Sequence, residues 1–172
     1  MRIQPCVLSL SLAVAVLFAV EAPAMQAARG IQPTRDIKVI SSAGARAMAD
    51  ACIAWAEQNK VLVAMAILDW CGNVIESHAM EGVAANGIDT ALLKAKSALR
   101  WRRATSETNR IVRSGESLAS TFMNDFPQPG ALPVMVGGQI VGAMGVSSGD
   151  GEKCAQAAID AVFKKPAPPA AR

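Results

Sequence analysis

The chain has 172 residues, with 17 basic against 14 acidic side chains for a net charge of +3, and 52% hydrophobic residues. That length holds one domain with a core of its own. So mild a charge excludes a dedicated nucleic-acid binder, which needs a concentrated basic face.

A mean hydropathy of +0.28 is high for a soluble chain, and its cause is local. Arg2 precedes an apolar run from Cys6 to Val20, and Ala22-Pro23-Ala24 follows. The run is shorter than the roughly 18 residues that mark a spanning helix. With a basic start and a small-x-small site it predicts a cleaved signal peptide over residues 1–24 and a periplasmic or secreted mature protein. The competing reading is an uncleaved membrane anchor. Cleavage removes Arg2 and Glu21 and leaves the charge unchanged. It also removes Cys6, so Cys52, Cys71 and Cys154 remain, enough for at most one internal disulfide. No CxxC and no Cys/His pair stands at metal spacing, which excludes a structural zinc site.

Residues 25–40 mix Ala, Arg, Gly and Pro and read as a loose lead-in to a domain over residues 41–165. Ser41 and Ser42 offer hydroxyls to cap a helix from Ala43 to Asn59. Ala45, Met48, Ala49, Cys52, Ile53 and Ala56 recur at three- and four-residue spacing and predict one buried stripe. Val61–Leu68 is an almost unbroken apolar run, as in a strand buried on both faces. Asp69-Trp70-Cys71-Gly72-Asn73 supplies a turn, since Gly and Asn tolerate positive φ. The return strand, Val74–Met80, alternates: Val74, Glu76, His78 and Met80 on one face, Ile75, Ser77 and Ala79 on the other.

A helix over Ile88–Arg103 follows, with Ala91, Leu92, Ala95, Ala98 and Leu99 inward and Lys94, Lys96, Arg100 and Arg103 outward. Thr105–Phe122 is polar and predicts short helical turns broken at Gly115. Asp125–Gly130 is a Pro-flanked loop. Pro133–Val136 and Gln139–Val146 form a second hairpin about Gly137-Gly138. Asp150 is the expected cap of a last helix, Gly151–Lys164, and the Pro/Ala-rich residues 166–172 are expected to be disordered. Met65, Met135 and Met144 fall in strand runs and read as core filler. The glycines of the second half do not form a GxGxxG cradle, and Asp150 and Glu152 would repel a phosphate there. Helix, hairpin, helix, hairpin, helix predicts an α+β domain, an antiparallel sheet layered with helices.

These residues, taken in order, resemble the GlcG/HbpS family of small haem-binding or haem-associated proteins, also seen as a domain in cobalamin-related proteins. Leu68-Asp69-Trp70-Cys71-Gly72-Asn73-Val74 sits where that family has strand, Asp, Gly-rich turn and strand. Ala79-Met80-Glu81-Gly82-Val83 takes the place of its Arg-Met-Asp-Gly-Ala stretch. Ala91, Lys94, Ala95 and Ala98 match its A-x-x-K-A-x-x-A helix. Phe126-Pro127, Pro133-Val134, Gly137-Gly138-Gln139, Val141-Gly142, Gly145-Val146-Ser147 and Cys154-Ala155 match its second half. The likeness runs from about Ala43 to Phe163. Ala79 stands for the family's Arg, Gly87 for its Ser and Cys71 for a turn Gly, so a ligand contact made by that Arg or Ser is not carried over to this chain.

The resemblance implies a profilin-like α/β/α fold, assembly into homo-oligomers, and haem or a similar tetrapyrrole as ligand. A membrane-bound sensor or transporter is the kind of partner it suggests. It also places Cys52 and Cys154 side by side, so a disulfide between them is an expectation of the resemblance. His78, the only histidine, is the natural iron ligand. Met80 offers a second donor, about 7 Å along the same face, too close to take the opposite side of one haem. Arg100, Arg102 and Arg103 are candidates for the propionates, Arg by its bidentate fork, and Lys94 projects from the same helix as a further cofactor-binding candidate. The bland readings stand beside these: a half-buried strand histidine bonded to Glu76 or to backbone, a surface lysine, and a basic helix end that offsets the helix dipole. Catalytic residues are not identifiable. An acid–base enzyme acting on a small organic acid or aromatic through His78, Glu81 or Asp69, and an accessory interaction protein, are the alternatives to a haem carrier, store or sensor.

Overall fold

Residues 36–164 are the part of the chain that the structure, a computed structural model, describes. The expected leader, most of the lead-in and the C-terminal tail lie outside the described residues. The elements are α1 (Ser42–Gln58), β1 (Ala64–Asp69), β2 (Val74–Ala79), α2 (Gly87–Trp101), α3 (Thr105–Ser114), α4 (Ala119–Phe122), β3 (Ala131–Val136), β4 (Gln139–Ser147) and α5 (Gly151–Phe163). Ser41 caps α1 as expected, its Oγ accepting from the Gly44 amide. Asp150 does not cap α5 with its side chain. Its carboxylate instead holds the Lys153 ammonium at 2.8 Å.

The strands form one antiparallel sheet in the order β2-β1-β4-β3. β1 is central, and Ala64 to Leu68 are all buried, as their apolar run predicts. Pro133 is tolerated because β3 is an edge strand, where a missing N–H breaks no inner ladder. Gly137 and Gly138, at φ 61° and 77°, make the β3–β4 turn, whose two positive φ values match the twist of the strands it joins.

Met65 and Ile67 face α1 and α5 in the main core, with Val63, Met144 and Val146. Ala64, Ala66 and Leu68 alternate to the opposite face, which α2 covers. The approach of α2 is set by Gly145. A Cβ there would collide with the Ala91 carbonyl and lie 2.6 Å from the Ala95 amide nitrogen. Full burial of Met48, Met65, Ile67, Leu68 and Met144 contributes roughly 1.5–3 kcal/mol each. The expected α+β layering is what the chain adopts. Met135 departs from the core role expected of it, being 46% exposed on the outer edge strand.

Helices α1 and α5 meet through small side chains, Ala45, Ala49 and Ala56 against Ala155 and Ala158, and there Cys52 and Cys154 form a disulfide. Their Cα atoms are 5.1 Å apart and both residues are fully buried. Cys71 is a free, exposed thiol.

The β1–β2 turn is built on Asp69. Its Oδ1 accepts from the Cys71 and Asn73 amides at 2.9 and 2.8 Å, and its Oδ2 from Asn73 Nδ2 at 2.8 Å. Burial raises the carboxyl pKa, but these hydrogen bonds together outweigh it and hold the group below its ordinary 3.8. A carboxylate depressed in the folded state stabilises fully above its unfolded pKa, and that contribution is lost as pH falls through the lower folded value. Thermal melts from neutral pH downward are therefore expected to show an acid-side loss that is smaller in Asp69→Asn. Parallel acid limbs would refute the role given to Asp69.

Candidate functional site

His78 lies on β2, a sheet edge, in register with Met65 and on the face that α1 partly covers. It is exposed. Glu76, the partner that the sequence offers it, is taken by Arg46 Nε at 2.9 Å and by the Ser77 amide at 3.2 Å. The bland expectation of a His78–Glu76 hydrogen bond is therefore not met, and the imidazole faces solvent. Met80 shares this face, but its side chain is packed against the main core and its amide donates to the Val63 carbonyl at 3.0 Å. The strict alternation expected of this strand fails at one point. A bulge opposite Ile67 and Leu68 brings Ile75 onto the core beside Glu76 and sends Val74 outward, 50% exposed.

Lys94 is on the other side of the sheet and is 7% exposed, which corrects the outward position expected of it. Its Nζ donates to the Val146 carbonyl at 3.3 Å and lies beside Gly130. Burial lowers its pKa from 10.5, and the negative charge of Glu152 offsets part of that. Glu152 Oε1 in turn accepts from the Ser106 amide (2.7 Å), Thr105 Oγ1 (3.1 Å) and the Gly130 amide (3.4 Å). Ala104, the residue at the N-cap of α3, has no side chain that can cap, so a carboxylate from α5 does it. A recess of ≈ 210 Å³ lies beside Glu152, between Pro129-Gly130 and Gly149-Asp150.

Arg100 and Arg103 are at the opposite end of α2 from His78. Gly87, which starts that helix, packs on Ala64, the partner of Ala79, whereas Leu99 packs at Gly72 in the β1–β2 turn. Arg100 Nη1 donates to the Met123 carbonyl at 3.1 Å and lies 3.7 Å from Asp125 Oδ1. Arg103 lies past the end of the helix, its guanidinium carbon 5.6 Å from the centre of the Trp101 ring. Asp125, which no local signal in its Pro-flanked loop marks out, is the hub here. Its Oδ2 accepts from Ser97 Oγ (2.8 Å), Trp101 Nε1 (2.6 Å) and Ser120 Oγ (2.8 Å).

One chain therefore brings His78 and Met80 together and keeps Lys94, Arg100 and Arg103 apart from them. Gly87 and its neighbours also fill the place where the resembled family carries Ser. A Cβ at Gly87 would collide with Val83 and stand 3.0 Å from Ala64 Cβ. Among the described residues no group of three or more His, Cys, Asp or Glu could hold a metal ion, and no helix is long and apolar enough to cross a membrane.

Residues 40–162 match the family model described as haem degrading protein HbpS-like. A 15.0 kDa protein from Citrobacter freundii, encoded between dhaT and dhaS and uncharacterised, is 31% identical over 134 residues, 74% of this chain and 94% of that one. The crystal structure of HbpS superposes with a TM-score of 0.69 at 26% identity, over 81% of this chain and 99% of that one. The structure of a PduOC:heme complex gives a TM-score of 0.67 at 24% identity, over 73% and 96% of the two chains, a likeness of fold.

Proposed function

This chain belongs to the HbpS-like family, and from that premise we propose that it is an exported haem-binding protein with His78 as its iron ligand. The observation that carries the reading is an exposed imidazole on an edge strand whose sequence neighbour Glu76 is already engaged elsewhere. A neutral imidazole nitrogen with an open approach suits haem iron. Met80, seated in the core, does not fit as its companion, and neither Lys94 nor the arginines at the end of α2 can join His78 on one haem within a single chain. A sixth ligand, where there is one, comes from outside this set.

Export is supported by the leader-like first 24 residues and by the Cys52–Cys154 bridge, since disulfides persist in oxidising compartments. Carriage, storage or sensing of haem, self-assembly, and a membrane-bound sensor or transporter as partner complete the reading. For these the resemblance is the support.

The test is a visible-absorption titration of residues 25–172 with haemin, run beside His78→Ala. The expected result is a sharpened Soret band with saturable stoichiometry in the wild type and its loss in the variant. His78 is a surface residue, so the variant is expected to keep the wild-type melting temperature. Binding unchanged by the substitution would remove His78 from the site. No specific spectrum in either protein would refute haem binding itself.

A further inference from the structure

The short helix α4 carries a surface that haem binding at His78 does not use. Asp125 anchors it from inside, where Ser120, a buried residue, donates from its Oγ to Oδ2 at 2.8 Å. Leu118 and Phe122 stand on either side of Ser120, each about 200° around the turn from it, so they share the outward face at i,i+4 spacing. Both are half or more exposed, as is Met123, and Phe122 at 84% is the most exposed large apolar side chain among the described residues. An apolar cluster at the tip of one turn, outside any core, marks a contact surface. Basic side chains surround it. Arg100 Nη1 reaches the Met123 carbonyl, Arg110 pairs with Glu116 just before the turn, and Arg103 borders one small cleft with Ser117, Ala119 and Ser120. Arg102 and Arg113 are exposed and form no ion pair among the described residues. Residues 100–125 hold five arginines against Glu107, Glu116 and the buried carboxylate of Asp125. The described residues outside that span hold seven basic and ten acidic side chains. The charge of the domain is thus polarised, with its positive end at the apolar turn.

We propose that this face docks the protein on an anionic phospholipid bilayer, with Leu118, Phe122 and Met123 in the headgroup–acyl boundary and Arg102 and Arg113 among the phosphates. Apolar burial and attraction to anionic lipid add in surface binding of this kind. A bilayer accepts a protruding knob as it stands, whereas a protein partner must supply a complementary pocket for it. A second copy meeting this face about a two-fold axis would set arginine against arginine. His78 is at the other end of α2, so a docked chain keeps its imidazole open to solution.

The chain from residue 25 onward is the one to test, because an apolar leader binds lipid by itself. Its partition is measured by co-sedimentation with vesicles of equimolar phosphatidylcholine and phosphatidylglycerol, beside vesicles of phosphatidylcholine alone. The expected result is saturable binding to the anionic vesicles, about tenfold or more weaker on phosphatidylcholine and weakened by salt. Phe122→Ser with Met123→Ser, and separately Arg102→Gln with Arg113→Gln, are each expected to weaken it about tenfold or more. All four side chains are exposed, so both double variants are expected to keep the wild-type melting temperature. Met135→Ser, which removes an exposed methionine from β3, is expected to bind as the wild type does. Phe122→Trp is expected to keep binding and to add emission that shifts to the blue on anionic vesicles, a reading that a purely structural role would not give. His78→Ala is expected to bind lipid unchanged, so this surface and the haem site fail separately. No binding to anionic vesicles, equal binding to both compositions, binding unchanged in either double variant, an equal loss in Met135→Ser, or no blue shift would each overturn the proposal. A smaller sedimentation coefficient for the Phe122→Ser, Met123→Ser variant without lipid would overturn it too, by making the face a contact between copies.

Discussion

Replacing Cys52 and Cys154 together by alanine is expected to lower the unfolding free energy by about 4 kcal/mol. The two cysteines are 102 residues apart, so the bridge closes a loop that takes in most of the described domain. In the chain-entropy view a closed loop of about 100 residues removes about 4.7 kcal/mol of freedom from the unfolded state, and engineered or native bridges deliver less than that ideal. Both sulfurs are fully buried where α1 meets α5, so the alanines also leave a small void. Wild type reduced under denaturant and refolded without oxidant keeps the sulfur volume and separates the crosslink from the void. For a domain of this size the loss corresponds to a fall of roughly 15 °C in Tm. The denaturant slope is expected to rise as well, because an uncrosslinked chain exposes more surface on unfolding. Of the three cysteines after residue 24, only Cys71 should react with a thiol reagent in denaturant without reductant. Three reactive thiols, or a loss below about 1 kcal/mol, would remove the bridge from the account.

What the sequence made legible was whatever short-range spacing controls. The apolar run Ala64–Leu68, the Gly and Asn of the first turn, the Gly-Gly of the second and the Ser41 cap each act within a few residues of themselves, and each stands where expected. The burial of Lys94 was legible in part. Positions 91, 94, 95 and 98 form one stripe at helical spacing, and Lys94 is in it. Its residue type argued for solvent, and the geometry prevailed because a backbone carbonyl and Glu152 await the amine. The bulge at Ile67 and Leu68 carries no marker in β2, since one extra residue in a strand changes no composition. Asp125 and Glu152 were out of reach for a different reason. Asp125 gathers donors up to 28 residues away and Glu152 up to 47, so their roles exist only once the layers are assembled. His78 was legible as chemistry but not as surroundings. Its exposure follows from β2 being an edge strand, which the order of elements alone does not fix.

Glu152→Ala is the second substitution expected to cost heavily, about 3 kcal/mol. Three effects add. The Ser106 amide, one of the unpaired donors at the start of α3, loses the acceptor that Ala104 cannot supply. The Gly130 amide and Thr105 Oγ1 lose the same oxygen, although Thr105 keeps its bond from the Ala131 amide at 2.9 Å. Lys94, buried with one carbonyl for company, loses the charge that offsets its desolvation. Water reaches half-buried Glu152 and can replace part of the first two, so the third effect decides the outcome. A double-mutant cycle isolates it. Lys94→Met removes the orphaned ammonium while keeping its methylene packing, so the double variant is expected to be more stable than the sum of the singles implies, by about 1 kcal/mol or more. The pH dependence gives an independent sign. A lysine whose folded pKa is lowered binds fewer protons folded than unfolded between that pKa and 10.5, so stability rises with pH across that window. Without Glu152 the folded pKa falls further and the window widens, and Glu152→Ala is expected to gain stability with rising pH over a broader range than wild type. Additive single substitutions together with an unchanged pH profile would reduce Glu152 to a cap for α3 and leave Lys94 held by the Val146 carbonyl alone.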